Sequence, residues 1–560
     1  MILLREALFI LLISAGILSG ALLVSRWLMG PEKLLGGAVL FLAENILLVI
    51  VLGFLGFLKP WALAIVLLAF IAGHIALFML RPSKIGSWFM VPGFWLKRAT
   101  SNEQRTTKSG LTIFLWIIAG AWLAFLAIEA WVMPPRGWDS LSYHLTNPLY
   151  WLQEGRITLL PYPILKDNAG FAFPANGEAL YLLQLAMTHA QRFLGFSPLL
   201  YIMFCFPAMK AISRDDGAVA FLLMFLTPLG LAQAITNYVD WGFCWWYLGA
   251  SAFVYNYWKE GGRARLCLAI IAISALAGVK YTGLVFYVIF MVALIVLALR
   301  KKETLALVIT TVLSLVFWLP WYARNWIALG NPLFDICVRV GPWVLFTGKE
   351  SPYTYGYQYF ATIQQVIVFP FRDIGLGTYE GGSGPLFWLA GLPLAFFFLI
   401  RDAIKRDWPW VFLWAQAPVF LYLFTTIPGF IHPGELRLVM PILAIGFLAL
   451  ARAWRGAKRP WMASLIILIA IAFQSIGALH LGEHRTFPGA FRDYFTGKKV
   501  SLMSYYSYQF PQSARWAELD GQGTMVVADD KFGLFAPLFG SRLQNRVEFR
   551  WRSRAPRLTP

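Results

Sequence analysis

Long apolar runs alternate with short polar connections along most of the chain. A run of about 20 apolar residues is long enough to cross a bilayer as a helix. About fourteen such segments are expected, near 6–28, 35–57, 61–80, 111–132, 196–212, 217–235, 240–258, 264–279, 281–299, 305–322, 385–400, 409–428, 437–452 and 462–480. The pattern therefore predicts an all-α polytopic membrane protein.

Composition supports this prediction. Of the 560 residues, 59% are hydrophobic and 13% charged, with a mean hydropathy of +0.64, whereas soluble domains have roughly 45–50% apolar and about 25% charged residues. The four cysteines show neither paired nor metal-ligand spacing, so neither a disulfide framework nor a zinc site is expected. The first apolar run is too long for a signal-peptide core, which favours a retained first span.

The formal net charge is +19. Lysine and arginine concentrate in alternate loops, such as 81–110, 259–265, 300–302 and 452–459. This is the positive-inside pattern of cytoplasmic loops. The basic excess therefore indicates topology in a cytoplasmic (inner) membrane, and nucleic acid is not expected as a partner.

The same topology predicts three regions. Residues 1–110 hold three additional spans and a basic cytoplasmic loop, and 111–480 form the main transmembrane module. That module has two long external loops, 134–195 and 323–383, the first with two juxtamembrane helices lying in the interface. Residues 481–560 are expected to form a small extracytoplasmic α/β region, with β-branched runs at 525–528 and 547–551.

Acidic side chains stand at two predicted external span ends. Asp139 follows the fourth span in "WDSLSYH", together with Tyr143 and His144, and Asp240 opens a later span in "YVDWGF". These acids are candidates to meet in one external cavity. Glu178 in "FPANGE" is a third candidate, although capping of the helix that follows it is the favoured interpretation.

The order of these features resembles the GT-C superfamily of polytopic glycosyltransferases, which use polyprenyl-phosphate-linked sugars. The resemblance is closest to the bacterial family that includes protein O-mannosyltransferases and the aminoarabinose transferase of lipid A. It covers roughly 111–480 and rests on "WDSLSYH", "YVDWGF", "AGVKYTGLVF", "LPWYARNWIALGNPLF" and "GELRLVMPILA". No single motif is highly specific, and the first three spans are extra to the common pattern.

The resemblance implies that Asp139 is a catalytic base, which takes the proton of an acceptor hydroxyl as the hydroxyl attacks the sugar. The leaving lipid phosphate then needs positive charge. Lys280, Arg324 and Arg437 are candidates, with His432 as a possible addition, and interfacial snorkelling is the alternative for each cation. Asp240 would orient the acceptor, hold Asp139 or help to bind a divalent cation. A metal stays an open alternative because "WDS" is not a D-x-D pair.

Two polar residues lie in the middle of the second predicted span, Glu44 and Asn45. A carboxylate at this depth needs a partner, for which His74 in the next span is a candidate. We do not assign these residues to the active site.

The expected function is therefore transfer of a sugar from a polyprenyl-phosphate-linked donor to an acceptor hydroxyl on the extracytoplasmic face. The identity of the sugar, the nature of the acceptor (glycan, lipid or protein) and the number of phosphates stay open. A polytopic transporter or lipid-linked sugar flippase is the main alternative, and a non-catalytic assembly protein is a third.

Overall fold

The structure is a computed structural model. It describes residues 2–80, 103–161, 164–165, 168–340, 342–348, 381–426, 435–479, 487–496, 513–523, 525–528 and 534–549. Helices account for 75% of it, as the apolar periodicity predicts. The chain is an all-α membrane protein with few strands.

Seven helices in the described part of the chain are long and apolar enough to cross a membrane. They are α1 (Ile2–Val24), α2 (Pro31–Phe54), α3 (Pro60–Met79), the Gly110–Val132 part of α4 (Glu103–Val132), α12 (Thr282–Arg300), Phe387–Ile404, which ends in α15 (Leu392–Ile404), and α19 (Pro460–Leu479). An eighth span results if α13 (Thr304–Ser314) and α14 (Leu319–Leu329), which meet at a 50° bend, count as one.

The other predicted spans also fall on helices, which are shorter or more polar. They are α7 (Phe196–Ile212), α8 (Gly217–Phe225), α9 (Pro228–Gln233), α10 (Asp240–Glu260), α11 (Arg263–Ala277), α16 (Trp408–Trp414), α17 (Gln416–Thr426) and α18 (Pro441–Arg455). The total of fourteen spans stays a prediction.

Helix α10 occupies the centre of the bundle. Every residue from Asp240 to Tyr257 is buried, and the helix packs against α7 and α11. The indole rings of Trp245 and Trp246 are fully enclosed. Because α10 begins with Asp240 and ends with Glu260, it links the two ends of the bundle, about 30 Å apart at 1.5 Å per residue.

The two ends of the bundle carry different sets of charged side chains. At the Glu260 end, which we call the basic end, Arg265 Nη2 lies 2.8 Å from Glu32 Oε2 and Arg452 Nη1 lies 3.0 Å from Asp402 Oδ2. These pairs join the ends of helices whose loops were predicted to be cytoplasmic. The opposite end, which we call the acid end, carries Asp139 and Asp240.

The loop at 134–195 contains two short helices, α5 (Thr146–Glu154) and α6 (Ala179–Thr188). The expectation of an interfacial helix is wrong for α6, which is buried along nearly all of its length. The reason is tertiary: α6 packs against the first three helices and α5. Gln184 Nε2, for example, donates to Glu6 Oε2 at 3.2 Å. The three N-terminal helices thus cover and support this loop.

The strands in the described residues form two pairs. Strands β1 (Val338–Val340) and β2 (Trp343–Phe346) are antiparallel, and β3 (Met525–Ala528) and β4 (Arg546–Phe549) are parallel. Beyond α19 there are also two short helices, α20 (Phe487–Phe495) and α21 (Ser513–Leu519).

The C-terminal segment 534–549 packs directly on the loop at 134–195. Phe535 N donates to Leu141 O at 3.1 Å. Gln191 Nε2 donates to Ala536 O at 2.7 Å and Gly540 O at 3.0 Å. The end of the described chain therefore holds the segment that follows Asp139.

Candidate functional site

Backbone pairing between two distant segments brings Asp139 and Asp240 together. Arg136 and Thr236 form an isolated parallel bridge, and Asn237 N donates to Ser140 Oγ at 2.9 Å. Gly137 has φ 89°, and a Cβ at this position would lie 2.8 Å from the Tyr238 ring. Glycine is therefore required where residues 136–140 cross residues 236–238.

Among the described residues, four charged side chains meet at this crossing. Arg437 Nη2 lies 2.9 Å from Asp139 Oδ2, and Arg437 Nη1 lies 3.4 Å from Asp240 Oδ2. Lys280 Nζ lies 2.5 Å from Asp240 Oδ1. The Arg437 guanidinium stacks over the Tyr238 ring at 4.6 Å. Two cations and two carboxylates thus form one cluster with no net formal charge, which we call the acid–cation cluster.

The two acids differ in exposure. The Asp240 side chain is 1% exposed and contacts both cations, whereas the Asp139 side chain is 21% exposed and contacts Arg437. A buried carboxylate with two cationic partners is suited to an electrostatic role. The partly exposed one is better placed to exchange a proton.

His144 and Glu178 form a buried pair beside the cluster, with His144 Nδ1 2.5 Å from Glu178 Oε1. The expectation that Glu178 caps α6 is wrong: Glu178 occupies the N-cap position without a side-chain capping bond. Burial raises the pKa of Glu178 to about 8. Burial, together with Lys280 and Arg437, lowers the pKa of His144 well below its usual value. At neutral pH the protonated carboxyl of Glu178 therefore donates a hydrogen bond to Nδ1 of the neutral imidazole.

Tyr143 lies in the same buried region. Its ring is 4.2 Å from that of His144, centroid to centroid, and its hydroxyl pKa is raised by burial and by the charge of Asp139. A hydroxyl that keeps its proton is a donor for a substrate oxygen.

Arg324 stands apart from the acid–cation cluster. Its Nη2 donates to Ala172 O at 2.8 Å and Phe173 O at 3.3 Å, and its Nε donates to Asn325 Oδ1. Its Nη1 is buried without a hydrogen-bond partner among the described residues. His432, the remaining predicted site residue, lies outside the residues that the structure describes.

Sequence reasoning missed the residues that hold the site together. Asn176 N donates to Gly278 O at 2.9 Å, and Asn176 Nδ2 donates to Ala275 O and Phe317 O. A Cβ at Gly278 would lie 2.1 Å from Asn176 Nδ2. This junction fixes the chain two residues before Lys280. An asparagine and a glycine beside predicted site residues were the signals available, and neither is specific.

The intramembrane carboxylate has a partner. His74 Nε2 lies 2.8 Å from Glu44 Oε1, and His74 Nδ1 lies 3.0 Å from Ser19 Oγ. One side chain from each of the first three helices thus joins a hydrogen-bonded chain. It lies outside the acid–cation cluster, and Asn45 Oδ1 beside it is buried without a hydrogen-bond partner among the described residues.

A cavity of about 330 Å³ opens at the basic end, lined by residues such as Glu32, Tyr255 and Arg455. It contains none of the acid-end residues discussed above. Within the described ranges, no group of three or more His, Cys, Asp or Glu side chains could hold a metal ion. The acids of the cluster face cations instead.

Comparison with known proteins adds no family assignment. No family model, curated protein or solved structure matches the chain. The interpretation of the site therefore depends on its own geometry.

Proposed function

We propose that the protein is a GT-C-type membrane glycosyltransferase that acts on the extracytoplasmic side. One observation carries the proposal: Asp139, Asp240, Lys280 and Arg437 come from four separate segments and converge in one cluster at the acid end. The basic loops lie at the other end, which the positive-inside rule assigns to the cytoplasm.

In the proposed reaction, an acceptor hydroxyl attacks the anomeric carbon of a polyprenyl-phosphate-linked sugar. The new bond joins the acceptor oxygen to that carbon, and the bond from the carbon to the phosphate oxygen breaks with its electron pair on the phosphate. Asp139 takes the hydroxyl proton, a contribution of typically 10²–10⁴-fold. Arg437 and Lys280 stabilise the phosphate, and Asp240 holds both cations in place.

Release of free lipid phosphate from a polyprenyl-phosphate sugar by the purified protein tests the proposal. Asp139→Asn is expected to lower the rate by about 10²–10⁴-fold while its unfolding profile stays that of the wild type. Asp215→Asn is a matched control, because Asp215 pairs with Arg455 at the basic end and its side chain is 71% exposed. Equal turnover in Asp139→Asn and the control would remove the proposed base.

The Ser19–His74–Glu44 chain favours a second candidate function, movement of a lipid-linked sugar across the bilayer, since transporters place ionisable groups at mid-depth. Transfer of labelled lipid between leaflets without cleavage of the sugar bond would support it. Loss of this transfer in Glu44→Gln, with the acid–cation cluster unchanged, would then assign it to the N-terminal helices.

A further inference from the structure

The acid–cation cluster presents a conflict for the proposed base. Asp139 Oδ2 accepts a hydrogen bond from Arg437 Nη2 at 2.9 Å. A carboxylate oxygen that accepts a hydrogen bond from a guanidinium is not free to accept the proton of an acceptor hydroxyl. In the arrangement seen here, the same cation that is suited to bind phosphate restrains the base.

The contacts of Arg437 with the two acids of the cluster are unequal. Its distance to Asp240 is 3.4 Å, and Asp240 keeps Lys280 at 2.5 Å if Arg437 moves. Asp139 has no second cation in the cluster, and it is the more exposed acid. The contact between Arg437 and Asp139 is therefore the one that can open, because Asp139 can regain water while Asp240 stays compensated.

A phosphate is a strong competitor for this arginine. Guanidinium groups bind phosphate through two parallel hydrogen bonds. Arg437 already offers Nη1 and Nη2 to two different carboxylates. A phosphate that binds Arg437 in this paired way would therefore replace its single contact with Asp139.

Charge balance gives the direction of the effect. The cluster has no net formal charge, so one bound phosphodiester brings the local charge to −1. Uptake of a proton by Asp139 returns it to zero. Phosphate binding therefore releases Asp139 from its cation, and the acceptor proton that Asp139 takes in the proposed reaction restores the charge balance.

We infer that Arg437 is a substrate-operated switch: it pairs with Asp139 until the donor's phosphate takes its guanidinium, and only then is Asp139 available as the base. This inference rests on the proposed function. It requires the lipid-linked donor to bind before the acceptor is deprotonated.

Carbodiimide labelling of Asp139 with glycinamide, read by mass spectrometry of the labelled peptide, tests the switch. The probes are farnesyl phosphate, farnesol as the control without phosphate, and inorganic phosphate, which is too small to cover Asp139. In the wild type, both phosphates are expected to raise the labelling rate of Asp139 roughly tenfold or more. This factor corresponds to the loss of one charge-assisted hydrogen bond, the one between Asp139 and Arg437. Farnesol is expected to leave it unchanged.

Two variants and one internal control define the result. Arg437→Gln is expected to label Asp139 rapidly without any probe, provided that its unfolding profile matches the wild type; Arg437→Lys gives a second variant, with a charge that cannot bridge both acids. Asp215, paired with Arg455 at the basic end, is expected to label equally in every sample.

The possible outcomes separate the two proposals. If farnesyl phosphate raises the melting temperature more than farnesol but neither phosphate raises labelling of Asp139, the switch is wrong and the proposed function stands. If farnesyl phosphate does not bind, as judged by the same melting curves, the proposed function fails and the switch with it.

Discussion

Replacement of Glu178 by glutamine should change how the stability of the protein depends on pH. Glutamine keeps a hydrogen-bond donor toward His144 Nδ1 but cannot titrate. In the wild type, the pKa of Glu178 is raised by burial from 4.5 to about 8. A group with a raised folded-state pKa contributes stability that is full below its unfolded pKa and is lost as the pH rises through the folded value.

The size of the effect follows from these pKa values. Between pH 7 and 8.5 the unfolded Glu178 is ionised, while the folded Glu178 passes from mostly protonated to mostly ionised. The wild type should therefore lose roughly 1 kcal/mol of stability from this residue over the interval. His144, whose pKa is lowered by burial, acts in the opposite direction. It reduces the stability of the folded protein at low pH, where the unfolded imidazole binds a proton, and this reduction is nearly gone above pH 7.

Unfolding by SDS in mixed micelles at pH 7 and pH 8.5 measures the effect. The free energy of unfolding of the wild type should fall by about 1 kcal/mol more than that of Glu178→Gln between pH 7 and pH 8.5. Glu154→Gln, in the same loop, serves as a carboxylate control and should follow the wild type. If Glu178→Gln and the wild type lose stability in parallel, Glu178 is not the protonated partner of His144, and the account of this pair is wrong.

Three further predictions concern stability and the assembly of the site. Lys280→Met should destabilise the protein by about 2–4 kcal/mol, because it leaves Asp240 with one distant cation. Adding Asp240→Asn should recover part of this loss. A double-mutant cycle measures the coupling between the two residues, and strictly additive losses would contradict the pairing. Gly278→Ala should lower the melting temperature, since its Cβ would overlap Asn176, whereas Gly456→Ala, whose nearest atom is 3.6 Å away, should not; equal melting temperatures would exclude the tight junction. Gln191→Ala should weaken attachment of the C-terminal segment and speed proteolysis within 534–549, and unchanged cleavage would show that these hydrogen bonds do not hold it.

Part of the architecture could be predicted from the sequence. Apolar runs predict helices because the period and length of a membrane helix are local properties. Asp139, Asp240, Lys280 and Arg437 were selected because each is a charged residue at a predicted span end. Residue type and topological position are therefore sufficient to identify these four as candidate site residues.

The contacts among these residues could not be predicted, because each depends on distant segments. Nothing local indicates that Arg437 contacts both acids, or that Ser140 accepts from Asn237 N across 97 residues of chain. Glu178 was misjudged because its histidine partner lies 34 residues earlier. The burial of α6 was missed because its polar positions, such as Gln184, are satisfied by other buried groups rather than by solvent.

The attachment of residues 534–549 to Leu141, Gln153 and Gln191 has a consequence for biogenesis. The ribosome must translate 394 further codons after Gln153 before it reaches Val547. The Gln153 side-chain amide donates to Val547 O and accepts from Val547 N. A nascent polypeptide can thus insert all its hydrophobic segments before the loop at 134–195 gains its contacts with the C-terminal segment. Synthesis that stops after the last span would leave an inserted but incomplete protein in the bilayer, so the loop that carries Asp139 can reach its final structure only after the C-terminal segment has been made.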